Sequence, residues 1–288
     1  MADEFEQHRA RCFAIAYRML GSAAEADDIV QEAWLRWQRA GQVEAPAAWL
    51  TTTVTRLCLD QLKSARARRE LYVGPWLPEP IETPAEDGAD PESISMAFLL
   101  LLERLSPAER AVYLLRKVFE VDFAEIAAAL GKSEAAVRQL FHRSGEHLAA
   151  SRPRYATSKE QHLRLLTGFM TAAQSGQVSQ LEALLAQDAR AWNDGGGRAR
   201  AALNVVEGRT RVAKLFVGLV SKGDGADLRP EIREVNGWPA LLLWRDAELV
   251  TALTIETDDD EIHAVHVVLN PDKLRSLTSS RLRLGQRV

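Results

Sequence analysis

The sequence predicts a multidomain chain: two all-α units followed by an α+β unit. Three observations predict it. Apolar residues recur at helical spacing over residues 3–70 and again over 91–148. An acidic, proline-rich stretch at 71–90 separates those two runs. From Ala189 onward the period changes to short strand-like runs broken by glycine and asparagine turns. The 288 residues are enough for roughly two domains of ~150 residues each, with a sizeable buried core. A hydrophobic share of 47% and a charged share of 26% are those of a soluble globular protein. The net charge of −4 excludes a general polyanion binder, so any nucleic-acid contact must come from local, salt-sensitive basic patches. Cys12 and Cys58 sit in helical patterns and read as buried thiols of a reducing cytosol. The segment MADEFEQHRARC lacks an apolar signal core, and no run reaches the ~18 apolar residues of a membrane span.

Residues 3–70 read as three helices. The first carries Phe5, Phe13, Ile15, Ala16, Met19 and Leu20 and stops at Gly21. Ser22 and Glu25 have capping-box spacing for the second. There Ala26, Ile29, Val30, Ala33, Trp34 and Trp37 form an apolar stripe, while Asp27, Asp28, Gln31, Glu32 and Arg36 take the opposite side. A loop from Gly41 to Pro46 leads to a third helix from about Ala47. Its buried set is Trp49, Leu50, Val54, Leu57, Cys58 and Leu62, and it ends in the basic run Lys63, Arg66, Arg68 and Arg69. Thr51, Thr52, Thr53 and Thr55 lower helix propensity there, so tertiary packing must hold the segment.

In the stretch 71–90, Pro75, Pro78, Pro80 and Pro84, with Pro91 just beyond, favour extended chain. At ~3.1 Å per residue such a stretch spans up to ~60 Å. Glu79, Glu82, Glu86, Asp87 and Asp90 make it acidic. A tryptophan inside WLPEP (Trp76 to Pro80) argues for docking, most simply on the protein's own surface.

After a leucine-rich helix, Met96 to Leu105, the trio Ser106, Pro107 and Glu109 marks a helix start. Asp122 to Leu148 then reads as two helices around a tight turn. Asp122 with Glu125 is expected as a capping box, Phe123, Ile126, Ala127 and Leu130 as one buried stripe, and Gly131 as the break. Ser133 caps the second helix. Val137, Leu140, Phe141, Ser144 and Leu148 face inward, and Ala135, Arg138, Gln139 and His142 face outward. That is a helix-turn-helix layout, whose second helix enters the DNA major groove. Arginine reads guanine edges, glutamine reads adenine, and arginine or histidine meets phosphate. An ordinary helical hairpin with a solvated face has the same pattern.

The last part starts with helices at Gln161 to Ala173, carrying Leu163, Leu166, Phe169 and Met170, and at Val178 to Leu185. A helix VAKLFVGLV lies within Val205 to Val220. Strands follow: LRPEIREV, the hairpin dipeptide Asn236-Gly237, WPALLLWR, LVTALTIET and the alternating IHAVHVVL, ending at Asn270-Pro271. Helices before a mostly antiparallel sheet predict an α+β domain.

The segments ADDIVQEAWLRW and PAAWLTTTVTRLCLDQLKSARARRE resemble region 2 of a bacterial RNA polymerase sigma factor of the extracytoplasmic-function group. LSPAERAVYLLRKVFEVDFAEIAAALGKSEAAVRQLFHRS resembles region 4 of the same family. WLPEP, DGGG at Asp194 to Gly197 and NPDKL at Asn270 to Leu274 resemble motifs of the SnoaL-like (NTF2-like) cone domain fused to one group of these factors. The resemblance implies region 2 over 1–70, a linker over 71–90, region 4 over 91–152, a SnoaL-like regulatory domain over 158–278 and a flexible tail over 279–288. It implies core-polymerase contacts at Asp27, Asp28, Gln31, Glu32 and Leu35. For the −10 element it implies Trp49, Thr52, Thr55, Arg56, Lys63 and Arg66, with Arg56 standing where the family usually has asparagine. For the −35 element it implies Ser133, Glu134, Arg138, Gln139, His142 and Arg143. Interdomain regulation is expected from Trp76, Leu77, Pro78, Glu79 and Pro80, from Asp194, Gly195, Gly196 and Gly197, and from Asn270, Pro271, Asp272, Lys273 and Leu274. The partners implied are core RNA polymerase and promoter DNA in the cytoplasm, without membrane, cofactor, metal or a required separate anti-sigma factor.

Plainer readings accompany each motif. The acidic face suits solvent, the basic run a helix end, Trp49 a core anchor, DGGG a turn and NPDKL a helix cap. Two rival classes are a stand-alone helix-turn-helix regulator and an isomerase or cyclase on the last domain. The second needs an acid/base pair in an apolar pocket, with Asp194, His263 and His266 as candidates. His263 and His266 lie three apart on a strand and so point to opposite faces.

Overall fold

Ser22 sets the first boundary that matters: its hydroxyl accepts from the Glu25 amide at 3.2 Å, so α1 (Ala2–Leu20) ends and α2 (Ala23–Ala40) begins there. In this computed structural model the described residues are 2–83, 91–149, 157–221 and 227–284, with 2, 64–70 and 279–284 described by backbone alone. α3 (Pro46–Glu70) packs against both earlier helices. Leu20, Trp37, Leu50, Val54 and Cys58 are fully buried, and the Trp37 ring meets Trp49 edge-on at 5.6 Å. The threonine run is helical because packing holds it: Thr55 is buried and its hydroxyl donates to the Thr51 carbonyl at 2.7 Å.

A 3-10 turn (Pro91–Ile94) and α4 (Met96–Leu102) lead to α5 (Pro107–Tyr113). Ser106 and Glu109 make the full reciprocal capping box that starts α5. α5 runs into a π-helical turn, Leu114–Val118, and Glu120 then takes φ 56°. α6 (Phe123–Leu130) and α7 (Glu134–Ala149) form the helix-turn-helix around Gly131, whose φ of 62° closes α6 in the left-handed region. Ser133 caps α7 through the Ala136 amide at 3.3 Å. The box expected at Asp122 does not form. Its side chain makes no cap bond and instead lies 3.5 Å from Arg116, a cation outcompeting a backbone amide.

The chain divides into two compact units. One comprises Met1–Leu71, Pro84–Ile94 and Phe98–Arg152; the other comprises Tyr72–Thr83, Ser95–Ala97 and Pro153–Val288. The second unit holds α8 (Lys159–Gln174), α9 (Val178–Glu182), β1 (Leu185–Asp194), β2 (Val206–Glu207), α10 (Arg209–Ser221), β3 (Leu228–Val235), β4 (Trp238–Arg245), β5 (Glu248–Thr257), β6 (Ile262–Val268) and α11 (Pro271–Leu284). Strand order is β2-β1-β6-β5-β4-β3, antiparallel except for the β1–β6 pair. Register shifts in β1–β6, β4–β5 and β5–β6 mark bulges, the devices that curve a sheet. Leu166, Phe169, Phe216, Ala191, Val265 and Val267 belong to the core between sheet and helices.

Four details differ from the sequence reading. The helix expected to reach Leu185 stops at Glu182, and β1 already begins at Leu185. Leu163 is 39% exposed, while His162 is buried in its stead, its Nε2 2.9 Å from the Pro239 carbonyl. β6 is buried almost continuously rather than alternately. α11 continues to Leu284 where a tail was expected from 279; residues 285–288 lie outside the described ones. Asn236 and Gly237 do take positive φ, 51° and 81°, as the hairpin reading requires.

Candidate functional site

The three motifs WLPEP, DGGG and NPDKL meet in one cluster of the second unit, centred on Asp194. β1 ends there because the Asp194 carbonyl turns to accept from the Leu269 and Asn270 amides, at 2.8 and 2.9 Å, joining β1 to the end of β6. Asp194 is wholly buried. Its Oδ1 accepts from the Tyr72 hydroxyl at 2.5 Å, and its Oδ2 from the Leu77 amide at 2.8 Å and from Lys273 Nζ at 2.7 Å. Lys273 Nζ also donates to the Leu77 carbonyl at 2.5 Å. The same ammonium stands 4.8 Å from the Tyr72 ring centre and 4.4 Å from that of Trp76, a cation–π pair on each side. Asn270 Nδ2 donates to the Tyr72 hydroxyl at 2.9 Å, and Ser276 donates to the Pro80 carbonyl at 2.6 Å. Further along, the Asn236 amide donates to the Ile81 carbonyl at 2.9 Å, and Glu82 bridges to Val235. Residues 72–83 therefore add themselves to this unit as an extended strap. Leu77, Pro78, Glu79 and Pro80 are buried in it.

Tyr72 and Ser276 were missed by the motif reading. Tyr72 precedes Trp76 by four positions in a strap with no helical or strand period to place it, so its partnership is invisible locally. Burial, then its bond to Asp194, pushes the Tyr72 phenol above its ordinary range. The DGGG glycines are there for close approach. Gly196 has φ 56°, and a Cβ on it would lie 2.6 Å from the Tyr72 hydroxyl and 2.9 Å from Asn270 Cγ. Asn270 also accepts from the Asp272 amide at 3.1 Å, the start of α11 that NPDKL foretold.

The other expected site residues lie in the first unit. On α2, Asp27, Asp28, Gln31 and Leu35 are exposed, and Glu32 is half-buried in an ion pair with Arg36 at 2.8 Å. On α3, Trp49 and Thr52 are half-buried, and Lys63 is exposed and paired with Asp60 at 2.8 Å. Thr55, expected on the DNA-reading face, is fully enclosed, so its role is packing. Arg56 reaches out to α6, donating from Nε to the Ala129 carbonyl at 2.8 Å and from NH2 to the Ala128 carbonyl at 3.1 Å. The Arg66 side chain lies outside the described residues. On α7, Arg138, Gln139, His142 and Arg143 form one exposed face, with Ser133 and Glu134 at its start. Glu134 holds Arg138, whose guanidinium lies over the Phe123 ring at 4.4 Å.

The candidate acid/base residues do not converge. Asp194 is engaged by the strap. His263 pairs with Asp258 at 2.8 Å, whereas His266 is buried 3.2 Å from Glu256 and lies tilted against Trp192, their ring centres 5.0 Å apart. Among the described residues no group of three or more His, Cys, Asp or Glu is arranged to hold a metal ion. Burial pushes Glu256 up to about 7 and His266 down to about 3. A carboxyl raised on folding gives stability that is lost as pH climbs from its unfolded value, 4.5, through about 7. The stability gained by Glu256→Gln should therefore grow over that range, by roughly 3 kcal/mol at 1.36 kcal/mol per unit. Urea unfolding of both proteins at several pH values measures it; a constant difference would refute the burial argument.

Comparison with known proteins follows the same division. Residues 5–68 match the family Sigma-70 region 2 and residues 95–148 match Sigma-70, region 4. The chain is 38% identical, over 94% of its length and 92% of the relative's, to the ECF RNA polymerase sigma factor SigJ of Mycobacterium tuberculosis. It is 31% identical, over 96% and 95%, to the probable ECF RNA polymerase sigma factor SigI of that organism. The crystal structure of Mycobacterium tuberculosis SigJ superposes with a TM-score of 0.77 at 34% identity, covering 96% of this chain and 99% of that one.

Proposed function

The chain belongs to the extracytoplasmic-function (ECF) RNA polymerase sigma factors, which direct promoter-specific transcription initiation, and from that premise we propose that its C-terminal unit controls it by holding the linker in the Asp194 clasp. One observation carries this reading: the Leu77 amide and carbonyl are both consumed, by Asp194 and Lys273. A linker so bound has the Leu77 backbone engaged and the Leu77, Pro78 and Pro80 side chains buried, so this part of it is not free to lie along polymerase. Its acidic residues suit a basic path there, so clasp and polymerase compete for one segment. The exposed acidic face of α2 with Leu35 provides a charged rim and an apolar anchor for the polymerase core. Trp49, Thr52, Arg56, Lys63 and Arg66 serve the −10 element, and the α7 face serves the −35 element. Control from within the chain makes a separate anti-sigma protein unnecessary. Asp194, the best acid for a catalytic reading, is spent on the clasp, so the C-terminal unit is a regulator and not an enzyme.

The test is promoter-dependent transcription with purified core polymerase. Lys273→Met, which opens the clasp, should raise transcript over the unaltered chain; equal or lower output overturns the proposed control. In the same assay Arg138→Ala should weaken −35 recognition by ~1–3 kcal/mol if it reads a base. Equal loss on all DNA sequences would reassign it to phosphate.

A further inference from the structure

The strap lies on the C-terminal domain as a ligand lies on a receptor. The core between sheet and helices, with Leu166, Phe169, Phe216, Val265 and Val267 in it, draws no described residue from 72–83. Side chains of the domain reach instead for the main chain of the strap. Asp194 accepts from the Leu77 amide at 2.8 Å, and Lys273 donates to the Leu77 carbonyl. Ser276 donates to the Pro80 carbonyl at 2.6 Å. Asn236 accepts from the Ile81 amide at 3.2 Å and donates to the Ile81 carbonyl at 2.9 Å. Main-chain groups are common to every sequence, so these bonds fix an extended course without demanding this one chain. Selectivity falls to a few side chains. Leu77 is wholly buried and Ile81 nearly so, two anchors ~12 Å apart in extended chain. The Trp76 ring faces the Lys273 ammonium, and Glu82 lies 3.9 Å from Arg233. Pro75, Pro78 and Pro80 hold the segment extended beforehand, which lowers the entropy lost on docking. Buried anchors, a row of backbone partners and a proline-stiffened ligand are the parts of a peptide-recognition groove.

We infer that the C-terminal unit is a peptide-binding module with the strap as its resident ligand, and that a segment of the same chemistry on a partner protein docks there in the strap's place. That chemistry is an aromatic residue before a leucine, prolines after it, an aliphatic residue four positions on and then an acidic one. The inference rests on the proposed control by the clasp and gives it an input from outside the chain. Strap and partner segment exclude each other, so by linkage whatever fills the groove in trans favours the released strap that polymerase takes. The tethered strap stands at roughly millimolar effective concentration for its own groove. A partner therefore succeeds by binding tightly, or by arriving when polymerase already holds the strap. A second copy offers only a strap held in its own groove, with neither advantage.

The experiment uses the full chain and a fluorescent synthetic peptide of residues 72–83. Leu77→Asp sets a carboxylate against Asp194 and empties the groove; Leu77→Gly with Ile81→Gly empties it without new charge. Circular dichroism checks that both stay folded. Peptide anisotropy should show saturable binding to both variants, and at least about tenfold weaker binding to the unaltered chain, whose own strap competes. A peptide carrying the Leu77→Asp change should bind at least about tenfold more weakly than the unchanged one. In the unaltered chain, excess peptide should open the strap to limited proteolysis, an arm that needs no substitution. With core polymerase and promoter DNA, the unchanged peptide should raise transcript from the unaltered chain and the changed peptide should not. No saturable binding to a folded variant, or a strap that stays protected under excess peptide, overturns the inference. Binding and strap release with unchanged transcript uphold the peptide groove and place the failure in the proposed control. A one-to-one complex of Leu77→Asp and Asp194→Ala chains, one with an empty groove and one with a freed strap, would give the groove to a second copy and overturn the partner.

Discussion

Asp194→Ala is expected to cost the C-terminal unit about 3–5 kcal/mol, the usual cost of leaving one member of a buried ion pair without the other. The carboxylate is wholly enclosed, and three donors converge on it. Its removal takes the carboxylate from the mostly buried Lys273 ammonium, which keeps the Leu77 carbonyl and the two ring faces, and it leaves the Leu77 amide without its acceptor. The strap should detach before the sheet unfolds, because the sheet has its own core. Limited proteolysis within 72–83 and urea unfolding followed by circular dichroism measure the two events. Asp194→Asn, which keeps the shape but loses the charge, should fall between. Full stability in Asp194→Ala would mean that the clasp is a passive contact.

Gly196→Ala is expected to be comparably damaging, about 2–5 kcal/mol, for an added methyl group. A left-handed backbone costs a residue with Cβ about 1–2 kcal/mol, and overpacking adds about 1–3 kcal/mol. The new Cβ points at the Asn270 amide and the Tyr72 hydroxyl, and neither can retreat without breaking its bond in the cluster. The strap should again be released, now with Asp194 and Lys273 intact. Parallel effects of the two variants on strap proteolysis and on transcript yield would tie both to one event. A Gly196→Ala chain that keeps its strap protected would show that the glycine serves only the turn.

What the sequence revealed follows the range of the forces involved. The helix-turn-helix was legible because its signals are local: Ser106 with Glu109, Gly131 and Ser133 each act within a turn of their own position. Asp122 misled because its competitor, Arg116, is six residues back and outside the capping pattern. Thr55 was placed on a DNA face by analogy. Its spacing with Thr51, Cys58 and Leu62, at i, i+4, i+7 and i+11, already puts it on the buried stripe. The end of α9 was misplaced because LEALLAQ suits a helix as well as a bulged strand. Motif resemblance gathered WLPEP, DGGG and NPDKL, but it could not supply Tyr72, whose partners lie 122 and 198 residues away. Nor could it foresee Arg56 on the α6 carbonyls, a tertiary contact between two helices that are each complete alone.

The most direct measurement of the account is hydrogen exchange at the Leu77 amide, in the free chain and in its complex with core polymerase. The amide is held by Asp194 in the free chain, so it should exchange slowly there. On polymerase it should exchange at least about tenfold faster as the strap leaves the clasp, matching the rate in free Asp194→Ala. Slow exchange that persists in the complex would contradict the account, because the linker would then be serving polymerase while still bound to its own C-terminal unit.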